Sequence, residues 1–406
     1  MHLFFFSLLL TQAYASDIIV ESLLRTLDYN SDPCDDFYRH ACPLESNASY
    51  SELVIENMGR TFGVWKEFQL VDEIERFNKT IDIRYGNLKA IDFLLDSNLE
   101  NVVEEMRDMV ENVKEIAKEL ISETPWARNN DVTEFNQKIL EMTVLPNDYA
   151  RTMRKSLNFL FKFELIYRQC KQNFNFHKDS QALCFAIANL QFDKNTPLEE
   201  PAYIYFKNAF NDFPEIRFGF PFYLVAAKTE SMAAKLGAVG FVVGHELSHT
   251  LIKHKTQDPT QPYFSQEALD CVQTQYNSTC NMFKEKSCEA NDEAQYDENG
   301  SDVLSVQMVY RMLEKFYGEK LKEVYKPLNV TNQQLFFYSM VPFFCDGSAK
   351  AIRPGQPHSA ANVRINAVAN HPAFKEAFQC SDDSRMIKSA TRQCMIYGKD
   401  APQTKR

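Results

Sequence analysis

Between Gly237 and His249 the chain reads GAVGFVVGHELSH, an uncharged apolar run that ends in two imidazoles and a carboxylate. Such a run predicts a helix, starting near Ser231, that is buried on all sides. On that helix His245 and His249, four residues apart, share one face, and Glu246 stands beside them. Polar side chains carried into an apolar interior are costly unless paired. The two histidines are therefore either satisfied core residues or ligands of a common cation. The chemistry favours the cation. Two imidazoles one turn apart suit zinc, and the neighbouring carboxylate is placed to take a proton from a water that the metal acidifies. We expect one Zn2+ per chain, held by His245 and His249, with Glu246 as general base.

A zinc site with an open position takes a third protein ligand. The residues after His249 offer only His254, five positions on and at a poor angle. A carboxylate from another helix is the alternative. Glu298-Asn299-Gly300-Ser301-Asp302 opens a helix predicted over 301–317, and its two carboxylates lie one turn apart. One could bind metal while the other supports a histidine through its far nitrogen. Glu293 and Asp297 repeat the same spacing, and acidic residues at a helix start also complement the helix dipole. Spacing alone leaves the third ligand open.

Other features set the context. Residues Leu3–Leu10 read LFFFSLLL, followed by the small-x-small site Ala13-Tyr14-Ala15. Residues 1–15 therefore read as a secretory signal peptide, too short for the roughly 20 apolar residues of a membrane span. Ten cysteines, none in a CxxC pair, suggest disulfides in an oxidising compartment. Sequons at Asn47, Asn78, Asn277, Asn299 and Asn329 agree with a secreted glycoprotein. The net charge of −11 is spread without a basic patch, which argues against nucleic acid as a partner. Helical periodicity runs over 87–122, 132–142 and 156–169, and the proline- and aromatic-rich stretch 197–221 reads as strand and turn.

VVGHELSH, ENGSDVLSVQMVYR and PHSAANVR (357–364) together resemble the neprilysin family of metallopeptidases. DPCDDFYRHAC near the start and FKEAFQC near the end resemble that family's edges. The resemblance implies a mainly α fold with few strands: a zincin (thermolysin-like) catalytic domain over 197–406, preceded over 16–196 by a reduced helical domain. It implies Glu298 as third zinc ligand and Asp302 as the acid behind a histidine. His358 would stabilise the oxyanion, and Arg364 would contact the substrate backbone. Asn208 and Ala209 would also bind substrate. It further implies the disulfides Cys34–Cys380, Cys42–Cys345 and Cys271–Cys394, leaving Cys170–Cys184 and Cys280–Cys288.

The implied activity is hydrolysis of peptide substrates by a secreted zinc endopeptidase or oligopeptidase without a stable membrane anchor. This chain is shorter than the family's ectodomains. A reduced roof over the site implies a more open cleft, or a cleft closed by a partner chain. Gln356 stands where the family commonly has an Asp, and Thr250-Leu251-Ile252 replaces a stretch that commonly ends in Asp. These departures leave a second expectation: a weak or inactive zinc-binding relative that holds peptides as a binding or decoy protein.

Overall fold

The computed structural model describes residues 17–42, 100–144, 208–252, 265–283, 293–345, 357–390 and 392–403, with a few positions between 165 and 184. The signal-like leader, residues 87–99 of the first expected helix and most of the expected helix 156–169 lie outside them. Contacts group the chain into two compact units. One comprises residues 1–53, 108–141 and 224–406, the other residues 54–107 and 142–223.

In chain order the first elements are α1 (Ile18–Thr26), α2 (Phe37–Ala41), α3 (Glu100–Glu123) and α4 (Asn129–Glu141). Strands β1 (Thr143–Val144), β2 (Ala209–Asp212) and β3 (Glu215–Phe218) follow, then α5 (Phe220–Lys228) and α6 (Met232–Lys235). After a π-helical turn, Leu236–Gly240, come α7 (Phe241–Leu251), α8 (Gln266–Phe283) and α9 (Glu293–Tyr317). The hairpin β4 (Val324–Tyr325) and β5 (Val330–Thr331) leads into α10 (Asn332–Met340), α11 (Ala361–Asn366), α12 (Pro372–Phe378) and α13 (Arg385–Ser389). Helix dominates the described residues, as expected. The anticipated strand-and-turn stretch supplies β2 and β3, which pair antiparallel, while β1 joins β3 in parallel. Among the described residues no helix is long and apolar enough to cross a membrane.

The stripe Met106, Met109, Val113, Ile116 and Leu120 is buried along α3, in the period that the sequence carries. The apolar run through α6, the π turn and α7 is buried on nearly every side, and its glycines explain how. A Cβ on Gly237 would meet the Phe336 carbonyl, one on Gly240 the Val309 side chain, and one on Gly244 would fall 2.5 Å from Ser305 Oγ. The three glycines therefore form a flat seam against which α9 and α10 close. Ser305 Oγ donates to the Phe241 carbonyl at 2.5 Å and fastens α9 to α7. At the end of α7, Tyr397 Oη donates to the Leu251 carbonyl.

Disulfides Cys34–Cys380 and Cys42–Cys345 tie the N-terminal segment to the C-terminal helices. Phe37 of α2 packs against Tyr338, Phe374 and Phe378. Cys271–Cys394 fastens α8 to the C-terminal segment, and Cys170–Cys184 closes within the second unit. Each pair joins the cysteines that the resemblance implies. Cys280 is also disulfide-bonded; its expected partner, Cys288, lies outside the described residues.

One expected boundary moves. Helix α9 begins at Glu293, eight residues before the predicted start at Ser301. The run EAQYDE favours helix, and Gly300 is tolerated because the Ile252 side chain lies against it, 3.1 Å from where a Cβ would sit. Glu298 and Asp302 thus stand inside the helix, and a role as N-terminal charges complementing its dipole is removed.

Candidate metal centre

Helix α7 aims His245 and His249 at α9, with their Nε2 atoms 3.2 Å apart. Glu298 Oε2 lies 3.1 Å from His245 Nε2 and 3.9 Å from His249 Nε2. One ligand atom from each of the three falls within 4.8 Å of the other two, a group able to hold a metal ion. The donor set fits zinc: two imidazole nitrogens and one carboxylate oxygen converge, leaving a position for a further ligand. The buried imidazole of His245 and the partly buried imidazole of His249 face one another beside a carboxylate, an arrangement that a shared divalent ion would satisfy.

The surrounding charges agree. Burial works against charge on His245, but Asp302 and Glu298 outweigh it and push the imidazole up to about 10. Burial works against charge on Glu298 as well, yet contacts with His245 and His358 hold its carboxyl well below the usual range. Glu246 is buried, and that burial raises its carboxyl above the ordinary glutamate value.

Behind His245, Asp302 Oδ1 stands 3.0 Å from Nδ1. The Asp302 carboxylate accepts from Arg364 Nε and Nη2, both at 2.7 Å, and from Tyr276 Oη at 3.1 Å. Burial alone would raise Asp302; the Arg364 guanidinium holds it far down. Arg364 also lies over the Phe344 ring. The sequence named Asp302 and Arg364 separately, and here they form one buried ion pair. Tyr276, on α8, belongs to none of the recognised motifs and was missed; no sequence signal singles it out.

His358 is half exposed, and its Nε2 lies 3.0 Å from Glu298 Oε2. Next to it, Ser359 Oγ donates to Asn299 Oδ1 at 2.8 Å. Glu298-Asn299 and His358-Ser359 therefore meet as adjacent pairs. Asn208 and Ala209 belong to the second unit. Asn208 is exposed and its carbonyl accepts from Gly219 N, while Ala209 begins β2 with a buried side chain. Asp297, weighed above as an alternative ligand, lies instead with its Oδ1 3.2 Å from His249 Nδ1.

A mainly helical scaffold with this cluster between two packed helices defines a zincin-like metallopeptidase fold. Residues 212–394 match Peptidase family M13, and the chain is similar to neprilysin-like metallopeptidases. Neprilysin-3 of Drosophila melanogaster is 26% identical over 179 residues, covering 40% of this chain and 22% of that protein. Endothelin-converting enzyme 1 of Cavia porcellus is 25% identical over 238 residues, covering 55% of this chain and 31% of the relative. The solved Haemonchus galactose-containing glycoprotein complex shares the fold at a TM-score of 0.50 and 20% identity, over 76% of this chain and 52% of that one. The chain thus spans less than a third of the length of these two curated relatives.

Proposed function

We propose that this chain is a secreted zinc-dependent endopeptidase or oligopeptidase with Glu246 as its general base. The observation that carries the reading is the meeting of His245, His249 and Glu298 beside a buried Glu246. A zinc ion bound there supplies a Lewis acid that acidifies water and polarises a peptide carbonyl. Glu246, its carboxyl raised by burial, takes a proton from the attacking water and returns it to the departing amine. His358 is open enough to face substrate and presents Nε2 to charge developing on the carbonyl oxygen. Asp302, clamped by Arg364 and Tyr276, holds His245 by its far nitrogen. Asn208 and Ala209, at the start of β2, would contact the peptide backbone, as the resemblance implies. The disulfides support export to an oxidising compartment.

A second reading, a peptide-holding relative with little turnover, draws on Arg364. Two arms of its guanidinium are spent on Asp302, so it offers substrate less than a free arginine would. Quenched fluorescent peptides, presented to wild type and Glu246→Gln with zinc content measured in both, separate the two. The peptidase reading expects wild-type cleavage and a loss of about 10^2–10^4-fold in the variant at unchanged zinc. Equal inertness with one zinc per chain would establish the second reading instead.

A further inference from the structure

A histidine that binds metal through Nε2 must keep its proton on Nδ1, and a partner at Nδ1 fixes that tautomer and the ring's orientation. His245 has such a partner in Asp302. The partner of His249 is assigned by no motif in the sequence. Two groups on α9 face its Nδ1: Asp297 Oδ1 at 3.2 Å and Ser301 Oγ at 3.3 Å. Ser301 is fully buried. Asp297 Oδ1 is also shut away from solvent and makes no hydrogen bond of its own. A buried carboxylate oxygen without a donor is costly, and a small turn of the carboxylate converts its 3.2 Å approach into acceptance of the imidazole N–H.

The periodicity of α9 makes the arrangement coherent. Asp297 and Ser301 are one turn apart, and so are Glu298 and Asp302, one residue further round. The first pair lies at His249 Nδ1. The second reaches the shared face of the two rings and His245 Nδ1. The approach depends on Gly300, against which the fully buried Ile252 side chain packs.

We propose that Asp297, seconded by Ser301, is the positioning residue of His249: it holds the imidazole in the tautomer and orientation that present Nε2 to zinc. This rests on the reading of His245, His249 and Glu298 as the zinc ligands. The test is zinc affinity, measured on the whole purified chain by competition with a chromophoric chelator, for wild type, Asp297→Ala, Asp297→Asn, Ser301→Ala and the Asp297→Ala/Ser301→Ala double variant. Thermal midpoints are recorded in parallel with chelator in excess. Asp297→Ala is expected to weaken zinc binding about 10–100-fold and the double variant further, with the chelated midpoint unmoved. Asp297→Asn, whose amide oxygen still accepts from Nδ1–H, restores most of the affinity. If the wild type takes up one zinc and every variant stays within about threefold of it, a scale well below that expectation, the proposal is overturned. A wild type that takes up no zinc overturns the ligand reading beneath it as well.

Discussion

Replacing Arg364 by Ala separates two roles that the sequence could not distinguish. As a substrate-binding arginine, its loss raises KM and leaves the fold alone. As the partner of Asp302, its loss strips a nearly buried carboxylate of two 2.7 Å charged hydrogen bonds, leaving Tyr276 and His245 as its neighbours. Hydrogen bonds to charged groups are worth about 1.5–3 kcal/mol each, and removing one member of a buried ion pair costs about 3–5 kcal/mol. Against a domain stability of about 5–15 kcal/mol, that is about a fifth of the total or more. Arg364→Lys keeps the charge but gives up the two-armed geometry, and an intermediate loss is expected. The assay is urea unfolding with disulfides intact and chelator present, with peptide kinetics measured separately on the zinc-loaded folded protein without chelator. Arg364→Ala with an unmoved midpoint and only a raised KM would refute the reasoning and return the residue to the substrate.

Further outcomes follow from other parts of the molecule. Gly244→Ala places a methyl 2.5 Å from Ser305 Oγ, which is already committed to the Phe241 carbonyl. About 1–3 kcal/mol of overpacking should lower the thermal midpoint and, by spreading α7 from α9, weaken zinc binding. Burial depresses His371 to about 4, whereas an unfolded histidine protonates near 6.5, so its contribution is intact above pH 6.5 and is lost as the pH falls towards 4. The loss is about 2 kcal/mol at pH 5; the difference in urea stability between pH 7 and pH 5 should shrink by that much in His371→Asn. Asn329 is exposed in the β4–β5 turn, whereas Asn299 is buried and accepts from Ser359. Peptide mapping of chain exported from eukaryotic cells should find a glycan at Asn329 and none at Asn299.

The helix that carries His245 and His249 was legible because its signals are local: an uncharged apolar run, two histidines one turn apart, and a carboxylate between them. The third member of the cluster, Glu298, was only half legible. Helical spacing treats Glu293 with Asp297 and Glu298 with Asp302 alike, and only the docking of α9 across the glycine seam turns Glu298 to the rings. The early onset of α9 was masked by Gly300, which reads as a break until Ile252 is seen packed on it. Arg364 read as a surface arginine without the resemblance and as a substrate contact with it. Its burial depends on Asp302 and Phe344, both remote in sequence. Tyr276 was unassigned, and Asp297 was weighed only as an alternative ligand, for the same reason, since each acts through a neighbour on another helix. The glycine spacing at 237, 240 and 244 was present in the sequence, but it becomes a packing statement only once the opposing Ser305, Val309 and Phe336 are known.

The bridges Cys34–Cys380 and Cys42–Cys345 give the chain a closed covalent circuit. A single cut anywhere between residues 43 and 344 leaves one fragment with Cys34 and Cys42 and another with Cys345 and Cys380, joined by at least these two bonds. The nicked molecule would run at full mass on a gel without reductant and fall into two bands with it. A protease could therefore open a surface loop without shedding the helix that carries His245 and His249, and only reduction would release the pieces.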